Sequence, residues 1–329
     1  MSEEEFAHRR GGVLILGGTG FIGRHVRAAF EADGRAVLVA SRGVAAGATP
    51  PDRQLRLDLA RVDADELAGL LSRLAPRIVV NCTGGIWGLT PEQMRPAMLD
   101  PVLRLLDAVA CQPTRPRLIH LGSVLEYGPV PAGTAVGPQL EPRPADAYGR
   151  AKLAATQAVA ARAGDGAVDA VALRVANAAG PGAPALSLFG RVAGVLAAAD
   201  QGETATVLLD PLRAKRDYID VRDVADAVVA AAARAQSGTV AAVGRGQAVA
   251  VRDLVEALVR ISAVPARIVE REPDAGERGL GHTAQEWMQV DPDHAYEAFG
   301  WRARREPVEA LRDLWRETVA AHHRVDVVR

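Results

Sequence analysis

Lysine is nearly missing from this chain. Of 39 basic residues among 329, only Lys152 and Lys215 are lysines, leaving 37 arginines. Where a guanidinium can serve, this sequence uses one, so a surviving lysine marks a place where arginine is a poor substitute. Cysteine is almost as scarce. Cys82 and Cys111 make neither a disulfide framework nor a metal-binding spacing. The histidines are scattered, and the sequence shows no metal site. A net charge of −1 provides no global field to recruit nucleic acid or an anionic membrane. No apolar run approaches the roughly 20 residues of a membrane span. The start, Met1-Ser2-Glu3-Glu4-Glu5, is acidic and unlike a signal peptide, so the expected location is cytoplasmic.

Against these absences stands Gly17-Gly18-Thr19-Gly20-Phe21-Ile22-Gly23. It follows the apolar run Val13–Leu16, which reads as a buried strand, and precedes a helical stretch from Arg24 to Phe30. A strand, a glycine turn and a helix N-terminus make an anion site suited to a pyrophosphate. The alternation continues with strands at 37–40, 54–57, 77–82, 118–121 and 170–174. Helices are expected at 64–74, 91–110 and 145–163. This rhythm predicts an α/β fold, a Rossmann-type doubly wound parallel sheet, with a smaller mixed α/β C-terminal substrate lobe. Residues 1–175 are expected to form the dinucleotide-binding domain. Residues 176–329 are expected to form mainly the substrate lobe, with some segments returning to the first domain. Helices are also expected at 191–199, 225–235, 252–261 and 308–321, and a Pro- and Gly-rich loop at 129–144.

Ligands on such sheets bind at the carboxyl ends of the strands, where Gly17, Ser41, Asp58, Thr83 and Ser123 fall. An acid closing the second strand favours NAD. Ser41-Arg42 stands there instead and suits a 2′-phosphate, unless Arg42 is simply a solvated surface residue. Asp58-Leu59 reads either as an adenine contact or as a helix N-cap. Tyr148 and Lys152, at i and i+4, share one helix face. A fixed ammonium there is expected to lower the tyrosine pKa and ready the phenol for proton transfer. Ser123 closes the fifth strand and can bond the same substrate oxygen.

Together these residues resemble the extended short-chain dehydrogenase/reductases of the NAD-dependent epimerase/dehydratase family. The resemblance spans nearly the whole chain and includes Arg174–Gly182, Arg216–Asp223 and Asp291…Ala295…Phe299-Gly300-Trp301. It implies a catalytic set of Ser123, Tyr148 and Lys152. It also implies a dinucleotide site of Gly17, Thr19, Gly20, Phe21, Ile22, Gly23, Ser41, Arg42, Asp58, Leu59 and Thr83, with Tyr148 and Lys152. Ser123, Asn177 and Arg216 would contact a nucleotide-diphosphate sugar, helped by an arginine near 271 or 278. Arg213, Lys215 and Arg216 read as a cationic cluster for the diphosphate or as a solvated loop. The resemblance further implies a homodimer through helices 91–110 and 145–163, where Ala154, Ala155, Ala158 and Ala161 either allow close approach or simply suit a core helix.

Val124-Leu125 follows Ser123 where the family's dehydratases carry Asp-Glu, which argues against dehydration. Ala179 stands in place of a frequent tyrosine, Asp100 in place of an asparagine, and Cys82-Thr83-Gly84-Gly85 in place of a more usual Ala-Ala pair. The departures resemble the 4-ketoreductases that finish deoxysugars in secondary metabolism. The expected reaction is NADPH-dependent reduction of the C4 keto group of a nucleotide-linked (TDP-like) 4-keto-6-deoxyhexose. The alternatives are a 4-epimerase with tightly held NAD, a reductase of a non-sugar ketone, and a non-catalytic NADP-sensing regulator.

Overall fold

The protein is described from a computed structural model, which covers residues 6, 12–43, 54–85, 89–200, 202–272 and 285–326. Arg278 and the first five residues lie outside that range. Seven strands form a parallel sheet: β1 (Val13–Leu16), β2 (Val37–Ser41), β3 (Gln54–Arg56), β4 (Ile78–Asn81), β5 (Arg117–Ser123), β6 (Ala170–Val175) and β10 (Val240–Val243). Their order is β10-β6-β5-β4-β1-β2-β3. Successive strand side chains point to opposite faces, and the sequence uses both. Val13 and Ile15 of β1 join one apolar core, while Leu14 and Leu16 join the other.

Helices cover both faces. α1 (Phe21–Ala32) and α7 (Val221–Arg234) cover the first with Val26, Phe30, Val224 and Val228. α2 (Ala64–Leu74), α4 (Asp100–Ala110) and α5 (Ala147–Gly164) cover the second with residues such as Leu67, Leu105 and Val159. Local capping starts several helices where they must start. Asp63 accepts from Glu66 N at 2.8 Å, and Asp146 accepts from Gly149 N at 2.6 Å.

The expected single helix over 91–110 is two, α3 (Pro91–Met98) and α4, joined at Leu99. Pro96 lies inside the first and Pro101 in the first turn of the second. Proline has no N–H to continue the ladder, so the run breaks between them. Of the four alanines expected at a helix–helix dimer face, Ala155 is instead buried in the chain's own core.

The rest of the chain builds a second, smaller layer. α6 (Leu188–Ala197), α8 (Val251–Ser262) and α10 (Pro307–Asp326) pack around a third apolar core. Its sheet centres on β9 (Lys215–Asp220). β11 (Ala248–Ala250) runs antiparallel to β9, whereas β13 (Trp287–Met288) and β7 (Asn177–Ala179) run parallel to it. β8 (Ala205–Leu209) pairs in parallel with β12 (Ala266–Glu270), and α9 (Asp293–Phe299) packs beside β10.

Buried carboxylates fasten this layer. Asp217, fully buried, accepts from Arg245 N (2.9 Å), Gly246 N (2.8 Å) and Val290 N (3.1 Å). Asp223 accepts from Arg304 N and Arg305 N at 3.0 and 2.8 Å. The Arg216–Asp223 stretch therefore spends its acids on backbone N–H groups. Asp217→Ala strands several buried donors and is expected to cost about 3 kcal/mol or more. The check is a lower urea midpoint at unchanged slope, and an unchanged midpoint would contradict it.

Candidate active site

The glycine turn leaves β1 with Gly17 at φ 75°. A Cβ on Gly23 would lie 2.3 Å from the Gly17 carbonyl oxygen, so only glycine lets α1 begin this close beneath the turn. Gly20 caps α1 without a side-chain bond, and the first helical turn carries no acid. The helix's leading N–H groups and its positive end are therefore left to an anion. The expected dinucleotide contacts Thr19, Phe21 and Ile22 lie in or just after this turn.

The other expected dinucleotide contacts sit on neighbouring strand ends. Ser41 is buried and its hydroxyl donates to Gly43 O at 2.6 Å, while Arg42 is exposed. Asp58 does not cap a helix, since Asp63 does that for α2. It accepts from Ala60 N at 3.1 Å and closes a turn. Leu59 is buried in the core, and its carbonyl accepts from Arg104 at 3.1 Å.

Thr83 follows β4. Its N–H and hydroxyl both donate to Asn81 Oδ1, at 3.1 and 2.6 Å. Asn81 Nδ2 must then be the donor to His120 Nδ1 at 3.2 Å, which assigns His120 as the Nε2–H tautomer. Burial, with the Lys152 charge, holds this imidazole neutral by lowering its pKa to about 3. Neither Asn81 nor His120 figured in the sequence-based site. Their signal was present: each is a polar residue within an otherwise apolar strand.

Ser123, Tyr148 and Lys152 come together as expected. The Ser123 side chain lies near enough to Tyr148 to pull its pKa down. Lys152 is buried, and its Nζ donates to Leu121 O at 3.0 Å and Thr83 O at 3.4 Å. Gly84, at φ 97°, makes room for it, because a Cβ there would lie 2.9 Å from Nζ. The electrostatics differ from the expectation. The Tyr148 pKa is raised, first by burial, then by the Glu126 and Asp146 charges, with the Ser123 side chain opposing. The Lys152 ammonium is 6.0 Å from the centre of the tyrosine ring and commits donors to two carbonyls. Tyr148, half-buried by its surface, is therefore a neutral phenol at neutral pH, as an unshifted tyrosine also is. Burial also pulls Lys152 down to about 8, with Glu126 and Cys82 opposing.

The sequence reading found no acid directly after Ser123 and overlooked Glu126, three residues on. Glu126 is fully buried and receives hydrogen bonds from Ser123 N, Thr156 and Arg174. Its oxygens are held by the protein and are not aimed at a leaving hydroxyl.

The expected substrate contacts lie on the second layer. Asn177 pairs in register with Tyr218, so Asn177, Tyr218 and Arg216 share one face of the small sheet. Asn177 Nδ2 donates to Asp217 O, and Arg216 Nη2 donates to Gln285 O, both at 3.2 Å. Arg213, Lys215 and Arg216 do not form one cluster. Arg213 pairs with Glu272 at 2.6 Å, and Lys215 and Arg216, adjacent in β9, point to opposite faces. Arg271 starts beyond β12 and is exposed. Sequence reasoning also missed Arg24, which reaches from α1 to Glu317 of α10 at 3.2 Å and packs over Gly182.

A parallel sheet with a glycine cradle at one strand end and a Ser-Tyr-Lys set at another defines a Rossmann-type oxidoreductase. Residues 13–244 match the NAD dependent epimerase/dehydratase family, and the chain belongs to that family, in the extended short-chain dehydrogenase/reductase class. It is 43% identical over 305 residues to a dTDP-6-deoxy-L-talose 4-dehydrogenase (NAD(P)(+)) of Kitasatospora kifunensis, covering 92% of this chain and 94% of that one. It is 27% identical to a GDP-6-deoxy-D-mannose reductase of Pseudomonas aeruginosa, covering 92% and 95%. Among solved structures, the Thermus thermophilus UDP-glucose 4-epimerase complex with NAD superposes with a TM-score of 0.80 at 22% identity, covering 94% and 99%.

With only two lysines, Lys152 can be watched alone. In a Lys215→Arg background, the single 13Cε-lysine resonance should titrate with a midpoint near 8. The folded pKa lies below the unfolded value, so the folded state loses a proton that the unfolded chain keeps. Between about 8 and about 10.5, this group's contribution to stability therefore rises with pH. A midpoint above 10 would contradict the buried placement.

Proposed function

We propose that this enzyme reduces the C4 keto group of a nucleotide-linked 4-keto-6-deoxyhexose, the dTDP form by preference, with NADPH. The observation that carries the reading is the meeting, at the end of β5, of Ser123, the Tyr148 phenol and the Lys152 ammonium, which lies 6.0 Å from the tyrosine ring and donates to Leu121 O. Such a phenol gives a proton to a developing alkoxide. The 43% identical relative is named for oxidation at C4 of a dTDP-6-deoxy sugar, and the 27% identical one for reduction. Microscopic reversibility makes these one chemistry run in two directions.

The turn Gly17–Gly23, Thr83 and Lys152 would hold the dinucleotide, and Ser41-Arg42 would receive a 2′-phosphate. When bound, the reduced dinucleotide supplies the hydride that adds to C4. Ser123 hydrogen-bonds the C4 oxygen and orients it. Tyr148 transfers its phenolic proton to that oxygen, completing the alcohol. Lys152, held between the Leu121 and Thr83 carbonyls, neutralises charge that develops on the phenolate. Asn177 and Arg216, on one face of the small sheet, would receive the nucleotide diphosphate.

Tyr148→Phe is expected to lower kcat for the 4-keto sugar by about 10²–10⁴-fold while NADPH affinity changes little. Full activity in that variant would overturn the mechanism. Arg42→Ala is expected to cut the preference for NADPH over NADH by about tenfold or more, the loss of one charge-assisted contact. NAD retained stoichiometrically through gel filtration, with no exchange for NADPH, would favour an epimerase instead.

A further inference from the structure

Among the described residues, Glu126 supplies the carboxylate enclosed on the protein side of the catalytic set. It lies in the short 3₁₀ turn Val124–Tyr127 that leaves β5, and it is fully buried. One oxygen accepts from Ser123 N at 2.8 Å and from Thr156 Oγ1 at 2.9 Å. The other accepts from Arg174 Nε at 2.7 Å. Thr156 is one helical turn beyond Lys152 on α5, and Arg174 lies on β6, the next strand of the sheet. A single side chain therefore ties the strand end bearing Ser123 to the helix bearing Tyr148 and Lys152. The neighbouring backbone gives way to it, because a Cβ on Gly122 would lie 2.4 Å from the Glu126 oxygen.

We propose that Glu126 is a positioning residue. It sets the Ser123 backbone against α5 and places a fixed negative charge beside the catalytic set. This rests on the reading that those three residues carry the chemistry. Geometry alone fixes the first role, since the Ser123 N–H has this carboxylate as its partner. The second follows from the field. After burial, Glu126 is the largest influence on both Tyr148 and Lys152, and it raises both. The other charged or titratable groups facing the pair are Asp146 towards Tyr148, and Cys82 and His120 towards Lys152. On the far side, Arg174 also donates to the Tyr127 hydroxyl at 3.1 Å. Its guanidinium balances the carboxylate and keeps it from being a lone buried charge.

The test separates charge from position. Glu126→Gln keeps an acceptor for Ser123 N and removes the charge. Gly122→Ala keeps the charge and crowds the carboxylate out of place. The 13Cε resonance of Lys152 is titrated in the substrate-free Lys215→Arg protein. In the Glu126→Gln protein its midpoint should fall by at least half a unit. This readout is independent of turnover, so a wrong substrate assignment leaves it intact. With turnover in hand, both variants should lose tenfold or more in kcat while NADPH affinity stays within threefold. If Glu126→Gln does not fold, Gly122→Ala decides the positioning role through kcat against NADPH affinity. An unmoved midpoint in Glu126→Gln, or kcat unchanged in a folded Gly122→Ala, would make Glu126 a structural ion-pair partner only and overturn the proposal.

Discussion

Parallel hydrogen bonding in the seven-strand sheet is the constraint on which the site depends. Because every strand runs the same way, all their carboxyl ends open on one edge, and residues distant in sequence become neighbours there. β4 and β5 pair so that Asn81 lies beside His120. That register places the Thr83 and Leu121 carbonyls where a single ammonium from α5 reaches both. Moving either strand by one residue would turn Asn81 and His120 to the opposite face and remove the hold on Lys152.

Desolvation is the second organising force. Tyr148 packs with Met94, Met98 and Ala151, so the local dielectric is low and each charge acts strongly. The phenol pKa rises for this reason, and the ammonium becomes easier to discharge. Glu126 and Arg174 lie there as a hydrogen-bonded pair, with Ser123 N, Thr156 and the Tyr127 hydroxyl as their further partners. The expectation of a tyrosine tuned mainly by a neighbouring lysine came from spacing along a helix. Spacing gives proximity, but it does not report how much water has been removed.

The second layer applies the same economy of charge differently. Arginine-rich and acid-rich segments that look solvated in sequence are joined across long separations, as in Arg222 with Asp313, or Arg305 with Asp223. Asp217 and Asp223 bond backbone N–H groups of loops far along the chain. This layer thus owes its shape to buried carboxylates as much as to its apolar core.

By itself the sequence determined the strand–helix alternation, the glycine turn, the Tyr148–Lys152 pairing and the place of Ser123. These are local: each depends on hydrophobic period, on a turn needing φ > 0 or no side chain, or on helical spacing. The caps Asp63 and Asp146 act within three residues of their helix starts, yet the sequence reading did not use them and began the 145–163 helix before Asp146. Only the tertiary structure decided the break at Leu99, the turn role of Asp58, the separation of Arg213 from Arg216, and the short strands β7, β8, β11, β12 and β13. These short strands stand outside the strand–helix alternation that made β1 to β4 readable, and they exist because partners distant in the chain supply their hydrogen bonds. Glu126 belongs with them. Nothing beside it in the sequence marks it as the carboxylate under the catalytic serine. That role arises where a β5 turn, the β6 arginine and an α5 threonine meet, a contact that only the folded chain makes.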